Sequence, residues 1–442
     1  MKALSRAVAI TKTVRILVAA GACLTTMVTT ASAAMPLQTG LDSGATSWVL
    51  TASALVLFMT LPGLTLFYGG LVPRDLAAVL MRRCFVISCV ASLVWLAFGY
   101  SLVFAPGSQL LGSLDAAFLR GAIGRLMPSG VPEGSFALFQ MTFAIITPAL
   151  IIGAVTERSR FSFVILFSAI WTAFVYVPIA HWVWGGGWLA RMGTLDFAGG
   201  IVVHTTAGVS ALVAAWLVGP RYGFPQRVAP APNPEMTTVG AAMLWVGWFG
   251  FNGGSALAAD ASAASAILAT QFAAAAAGLA WITVERFRLG KPSPVGIASG
   301  CIAGLATITP ASGYVGPIGA VAIGVMGGVV CCIAAGVVKH RLGIDDSLDV
   351  FGVHGLGGIL GSLLLAAFAL PALGGSGYGH PMSAAGQLGA QAIGVGAAAV
   401  WSAIGTYLIV KFLDATVGAR VSLEVERNRV ELCRGAIAEA AE

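Results

Sequence analysis

Residues 161–182 read FSFVILFSAIWTAFVYVPIAHW, an unbroken run with no Asp, Glu, Lys or Arg. A helix rises 1.5 Å per residue, so a run of this length crosses the roughly 30 Å hydrocarbon core of a bilayer. Ten further apolar runs invite the same reading: 46–68, 80–104, 134–155, 197–218, 236–257, 262–284, 295–310, 315–338, 350–370 and 385–413. The run 295–310 is the shortest of them. In lipid every backbone amide must find its partner within the segment, which leaves the helix as the only open-chain solution. The expected fold is therefore an all-α polytopic membrane protein with eleven transmembrane helices. Composition agrees: 58% of residues are hydrophobic and 10% charged, where soluble domains carry about 25% charged residues. That excludes an ordinary cytosolic enzyme, and it excludes disorder, which needs high charge and low hydrophobicity. The 57 glycines have no triplet period. Glycine this frequent within apolar runs suits closely packed membrane helices rather than collagen.

The two ends of the chain give a topology. Lys2, Arg6, Lys12 and Arg15 lead into the apolar run 16–28, and Ala31-Ser32-Ala33 follows. This three-part layout predicts a secretory signal peptide over 1–33, cleaved near Ala33. About 13 apolar residues are too few to span a bilayer. The transmembrane domain is then 34–414, with a cytoplasmic tail over 415–442. An odd number of spans after a cleaved signal puts the mature N-terminus outside and the C-terminus inside, in a cell inner membrane. Seventeen basic residues fall on the connections and tail assigned to the inside, against Arg120, Arg125 and Arg191 outside. This is the positive-inside bias. The net charge of +6 thus reports topology and not a nucleic-acid partner. The seven cysteines form no CxxC pair and no Cys/His metal spacing, so neither a disulfide framework nor zinc is indicated. Neither Gly185-Gly186-Gly187 nor Gly357-Gly358 is followed by the Gly-Lys-Ser/Thr of a phosphate loop, and no Ser/His/Asp arrangement sits in a suitable turn. No enzyme and no cofactor is expected.

An internal repeat points to the working region. Phe67-Tyr68-Gly69-Gly70 closes the first span and Phe251-Asn252-Gly253-Gly254 the sixth, while Asp196 precedes His204 in the fifth as Asp349 precedes His354 in the tenth. Helices 1–5 and 6–10 become two halves related by an inverted pseudo-two-fold axis, because five is odd. Such proteins place their substrate site near the midplane between the halves. His204 lies about 12 Å below Asp196 and His354 about 7.5 Å above Asp349, so both point to the centre of the bilayer. Intramembrane ionisable residues are functional by default, and equivalent positions in a repeat weaken the alternative of two packing histidines. His181, His340 and His380 stand near helix ends, where solvated loop roles are expected. Asp196 and Asp349 are read first as N-caps. Phe139 and Phe143 share a face at i, i+4. Trp182, Trp184 and Trp188 crowd the outer end of the fourth span, and Trp245, Trp248, Phe249 and Phe251 crowd the sixth. An interfacial aromatic belt accounts for most of these. The sharper alternative is a cation–π cage at the outer mouth, with Ser255 as an oxygen acceptor one turn beyond Phe251.

These motifs together resemble the bacterial ammonium transporters of the Amt/MEP/Rh family. The likeness rests on FYGGL at 67–71, ERSRF at 157–161, HWVWGGG at 181–187, DFAGGIVVH at 196–204, WFGFNGGS at 248–255, TPASGY at 309–314 and DVFGVHG at 349–355, in the family's order over about 48–420. The resemblance implies an outer recruitment site of Phe143, Trp184 and Ser255, supported by Asp196, and a stacked gate of Phe143 and Phe251. It implies a narrow pore lined by His204 and His354 and a homotrimer with one pore per subunit; no metal is expected, for want of metal-ligand spacing. It further implies recruitment of ammonium, deprotonation, conduction of ammonia and separate transfer of the proton. Two departures stand out. Val72-Pro73-Arg74-Asp75 replaces the basic residues and Asn usual after FYGGL, and beyond TVGARV at 416–421 the tail loses the Gly-Leu-Asp and His-Gly-Glu signatures. The resemblance implies a PII-type signalling protein as a partner at the cytoplasmic face; the divergent tail argues against it. Two other functions stay open. An ammonium sensor with little transport would be favoured by a fused kinase or cyclase domain, and only 415–442 follow the last span. A neutral gas channel of the Rh kind has no need of the cation cage that Trp184 and Ser255 would build.

Overall fold

The computed structural model describes residues 40–226 and 231–428. The stretch 1–33 read as a signal peptide, and the tail beyond 428, lie outside these residues. Eleven helical spans follow one another: α1 Ser43–Leu71, α2 Arg74–Phe104, α3 Glu133–Ile152, α4 Phe161–Arg191 and α5 Gly200–Val218. α6 is Pro234–Trp248, continued by the turn Phe249–Gly253. Then come α7 Ala261–Leu289, α8 Gly296–Ile308, α9 Pro317–His340, α10 Phe351–Phe368 and α11 Ala384–Thr416. Nine of these are long and apolar enough to cross a membrane. α8 is the shortest, with 13 residues, as the sequence foreshadows. Phe85, Leu93, Phe174, Leu279, Val400 and Phe412 are exposed on the helices. In a membrane span apolar side chains can stay exposed in this way, because the surroundings are as apolar as they are.

Hydrogen bonds between the connections define two faces. On one, Asp42 N donates to Gly130 O and Trp188 N to Gln109 O, while Gln391 ties to the backbone of Leu195. On the other, Ser347 N donates to Ala154 O and Val421 N to Arg158 O. There Arg221 pairs with Glu157 and, at 2.9 Å, with Asp345. Arg420 pairs with Glu426 at 2.6 Å. This second face carries the C-terminal segment and is called the C-terminal face below.

Several spans are not plain α-helices. π-helical turns interrupt, open or close them at Met59–Leu64, Trp95–Gly99, Thr172–Tyr176, Gly200–Thr205, Phe249–Gly253 and Phe351–Gly355. Such turns widen the helix locally and often mark working sites. Both intramembrane histidines sit in one.

The middle of α5 and the opening turn of α10 meet closely. A Cβ on Gly208 would stand 2.2 Å from Gly355 Cα and 2.3 Å from its N. Helices without a hydrophobic driving force between them pack by close van der Waals contact, which small residues permit. Gly208→Ala is therefore expected to push α5 from α10 and to cost about 1–3 kcal/mol. A lowered unfolding temperature in detergent checks this; an unchanged one would contradict the close approach.

Candidate functional site

The start of α5 is built by a single carboxylate. Asp196 Oδ1 accepts the N–H groups of Gly199 at 2.9 Å and Gly200 at 2.6 Å. Its Oδ2 accepts those of Ile201 at 2.8 Å and Val202 at 3.0 Å. A helix begins with four N–H groups that lack partners; here one buried side chain receives four such donors. Gly199 allows the approach by adopting φ 110°, a conformation that favours glycine. The turn that follows carries His204.

α10 begins in the same manner, with a correction to the sequence reading. Asp349, expected as the cap, has φ 57° and gives its carboxylate to Lys339 Nζ at 2.8 Å. The capping carboxylate is Asp346, whose Oδ2 accepts the Phe351 N–H at 2.7 Å. Burial, with Asp349 beside it, raises the Asp346 carboxyl to about 6, against the lowering effect of Lys339 and the Phe351 and Val350 N–H groups. The reason is one of register. Asp196 and His204 are eight residues apart, and so are Asp346 and His354.

Where the two turns face each other, the imidazoles of His204 and His354 lie with ring centroids 5.2 Å apart and planes 18° from parallel. Their Nδ1 atoms are 3.3 Å apart, and both residues are buried. Two neutral imidazoles in this arrangement share one Nδ1 proton: one ring donates, the other accepts. The donor ring then has a bare Nε2, and the acceptor ring an Nε2–H. His204 Nε2 is buried without a hydrogen-bond partner among the described residues. Trp248 lies 5.4 Å from His204 and 21° from parallel, its Nε1–H held by Thr309 Oγ1 at 2.9 Å. The sequence reading left Trp248 between an aromatic belt and an outer cage, but the structure puts it against the His204 ring.

Beyond His204, Phe251 follows at 5.9 Å. Phe143 lies 4.5 Å from Phe251, and Trp184 lies 5.6 Å from Phe143. The structure thus joins Trp184, Phe143, Phe251, His204 and His354 into one line of ring contacts. Phe143 and Phe251 are tilted by 46°, not laid parallel as a stacked gate would be. Phe139 touches Phe143 edge-on at 5.0 Å. Trp184 is half-buried, and its Nε1–H donates to the Asp196 backbone carbonyl at 2.9 Å. Asp196 therefore supports this end through its backbone while its carboxylate is spent on α5. Ser255 Oγ donates to Phe251 O at 2.9 Å, leaving its lone pairs to accept. At the opposite end of the line, a cavity of about 170 Å³ lies beneath His354, lined by Tyr68, Lys339 and Asp349 among others.

His181 departs from expectation. It is buried, and its two ring nitrogens lie 2.7 Å from Val103 O and 2.9 Å from Ser108 O. It fastens the loop after α2 instead of sitting in a solvated one. A histidine one turn before a Gly-rich break gave no sign of this, because its partners lie 78 and 73 residues away.

The sequence profile of the Ammonium Transporter Family matches residues 47–435. An ammonium transporter of Aquifex aeolicus is 45% identical over 394 residues, covering 87% of this chain and 91% of that one. The crystal structure of Saccharomyces cerevisiae Mep2 superposes with a TM-score of 0.79 at 35% identity, covering 87% of this chain and 92% of Mep2. A structure described as a sensor Amt protein gives 0.82 at 34% identity, over 87% of this chain and 96% of that one. With eleven spans, the paired histidine turns and these likenesses in agreement, the chain belongs to the ammonium transporter family.

Proposed function

We propose that this protein recruits ammonium at Trp184, Phe143 and Ser255, removes its proton, and conducts ammonia past Phe251 and along His204 and His354. The observation that carries the reading is the unpartnered His204 Nε2 in a line of rings that is buried from Phe143 through Phe251 to His204 and His354. Moving a bare cation into such a medium costs of order 20 kcal/mol in the idealised limit. An ammonium ion titrating like a lysine amine near 10 costs only about 4–5 kcal/mol to deprotonate at pH 7. Losing the proton is the cheaper route. Potassium and sodium have no proton to lose, so the same line of rings excludes them. Ammonia offers a lone pair and three N–H donors, which match an imidazole pair holding one bare nitrogen and one N–H. A proton passing between coupled imidazoles gives a path for charge separate from ammonia itself.

The repeat supports a site at the centre of the bilayer: Asp196 and His204 correspond to Asp346 and His354, and each histidine lies in a π-helical turn. By the basic bias of its connections, the C-terminal face is cytoplasmic, and the N-terminus of the transmembrane domain lies outside the inner membrane. Homotrimeric assembly is the family expectation.

The outer aromatic site makes its own prediction. Each aromatic facing a cation contributes about 0.5–2 kcal/mol, so Trp184→Leu should raise the ammonium concentration for half-maximal transport about 2- to 30-fold. Ser255→Ala should move it in the same direction. Saturation curves of ammonium-driven current check this; an unchanged half-saturation with a lower maximum would place Trp184 outside recruitment. The likeness to a sensor Amt protein favours, as second reading, a sensor that binds ammonium and transports little. Measurable ammonium binding without flux would select it.

A further inference from the structure

Thr309 opens the TPASGY stretch, and the pore as described so far gives it no task beyond its bond to Trp248. The proposed relay supplies one. When an N–H bond of ammonium breaks and its proton binds His204 Nε2, ammonia is left free. Until the Nδ1 proton moves on to His354 Nδ1, the positive charge rests on the His204 ring. No ion pair among the described residues includes His204, and the Asp196 carboxylate is spent on α5. The ring does have the indole of Trp248, 5.4 Å away and 21° from parallel. An aromatic face attracts a cation within about 6 Å, indole most strongly, and more so where water is excluded.

The indole is itself held in place. Trp248 Nε1–H donates to Thr309 Oγ1 at 2.9 Å, while the Thr309 hydroxyl donates to Leu305 O at 2.7 Å. With its proton committed to Leu305, the hydroxyl keeps a lone pair on the indole. An N–H that donates in such a chain polarises its ring, leaving the face richer in electrons. Both side chains are buried, so no solvent stands ready to replace the acceptor. We propose that Thr309 is a positioning residue for proton transfer, holding the Trp248 face against His204 and so stabilising the imidazolium formed there. The proposal rests on the transport reading above and names the group behind its charged step.

Saturation curves of ammonium-driven current in proteoliposomes, scaled to folded protein, test it. Thr309→Val keeps the shape and removes the acceptor, so the maximal current should fall about 3- to 30-fold. Half-saturation should stay within about twofold of wild type, because recruitment lies on the far side of Phe143 and Phe251. Thr309→Ser should recover most of the current. Trp248→Phe needs no acceptor, so Thr309→Val should cost nothing further in that background, a coupling that a merely structural threonine would not show. The double variant also buries no orphaned indole N–H, which keeps the comparison open if Thr309→Val folds poorly. Wild-type current from Thr309→Val, or losses that simply multiply in the double variant, would overturn the proposal while the transport reading stands. A wild type without ammonium current would sink both.

Discussion

In proteoliposomes, His204→Ala/His354→Ala protein should show ammonium-driven current at least about a hundredfold below wild type, the lower end of what positioned proton-transfer groups contribute. The two rings face each other with Nδ1 atoms 3.3 Å apart, so removing one leaves the other without the partner that sets its tautomer. Single replacements should therefore cost nearly as much as the double one, a non-additivity expected of groups that act as a unit. His204→Ala also removes the ring on which Trp248 lies at 5.4 Å. His204→Gln, which keeps a donor and an acceptor without a titratable proton, separates hydrogen bonding from proton transfer. It should pass little current while remaining folded. Wild-type current from the double variant would show that the imidazoles only line the path.

The second large effect is on folding. Asp196→Ala deprives four N–H groups of their acceptor within a buried helix start. Leaving even one buried donor unsatisfied costs about 1–3 kcal/mol. Four such donors outweigh a good part of the 5–15 kcal/mol by which a domain is stable. The Ala variant should fail to accumulate as folded protein. Asp196→Asn, whose amide oxygen can still accept, should fold with a lowered unfolding temperature. Size-exclusion profiles in detergent distinguish the three proteins, and a stable Ala variant would mean that another group caps α5.

Much of this architecture is legible in the sequence because bilayer thickness sets segment length. The run 161–182 and its fellows give the eleven spans, and the short α8 was already visible as the briefest run. The apolar character that reveals a span also hides its packing. A helix apolar on all sides has no periodic face, so the six π-helical turns and the meeting of Gly208 with Gly355 leave no periodic trace. Among site residues, the two histidines stand out because an ionisable group in such a run is rare. Asp349 reads as the cap because it lies next to the apolar run; the eight-residue spacing to the following histidine, shared by Asp196 and Asp346, is the better guide. Trp248 and His181 escape because their positions are fixed by long-range partners, Thr309 for one and Val103 and Ser108 for the other.

The most direct test of the transport account is the current across proteoliposomes after matched pulses of ammonium, methylammonium and potassium, with internal pH recorded in parallel. The account predicts a saturable current with ammonium and none with potassium. A potassium current of similar size would show that bare cations pass the rings, and internal alkalinisation without any current would show that ammonia crosses with no proton path beside it; either result would contradict it.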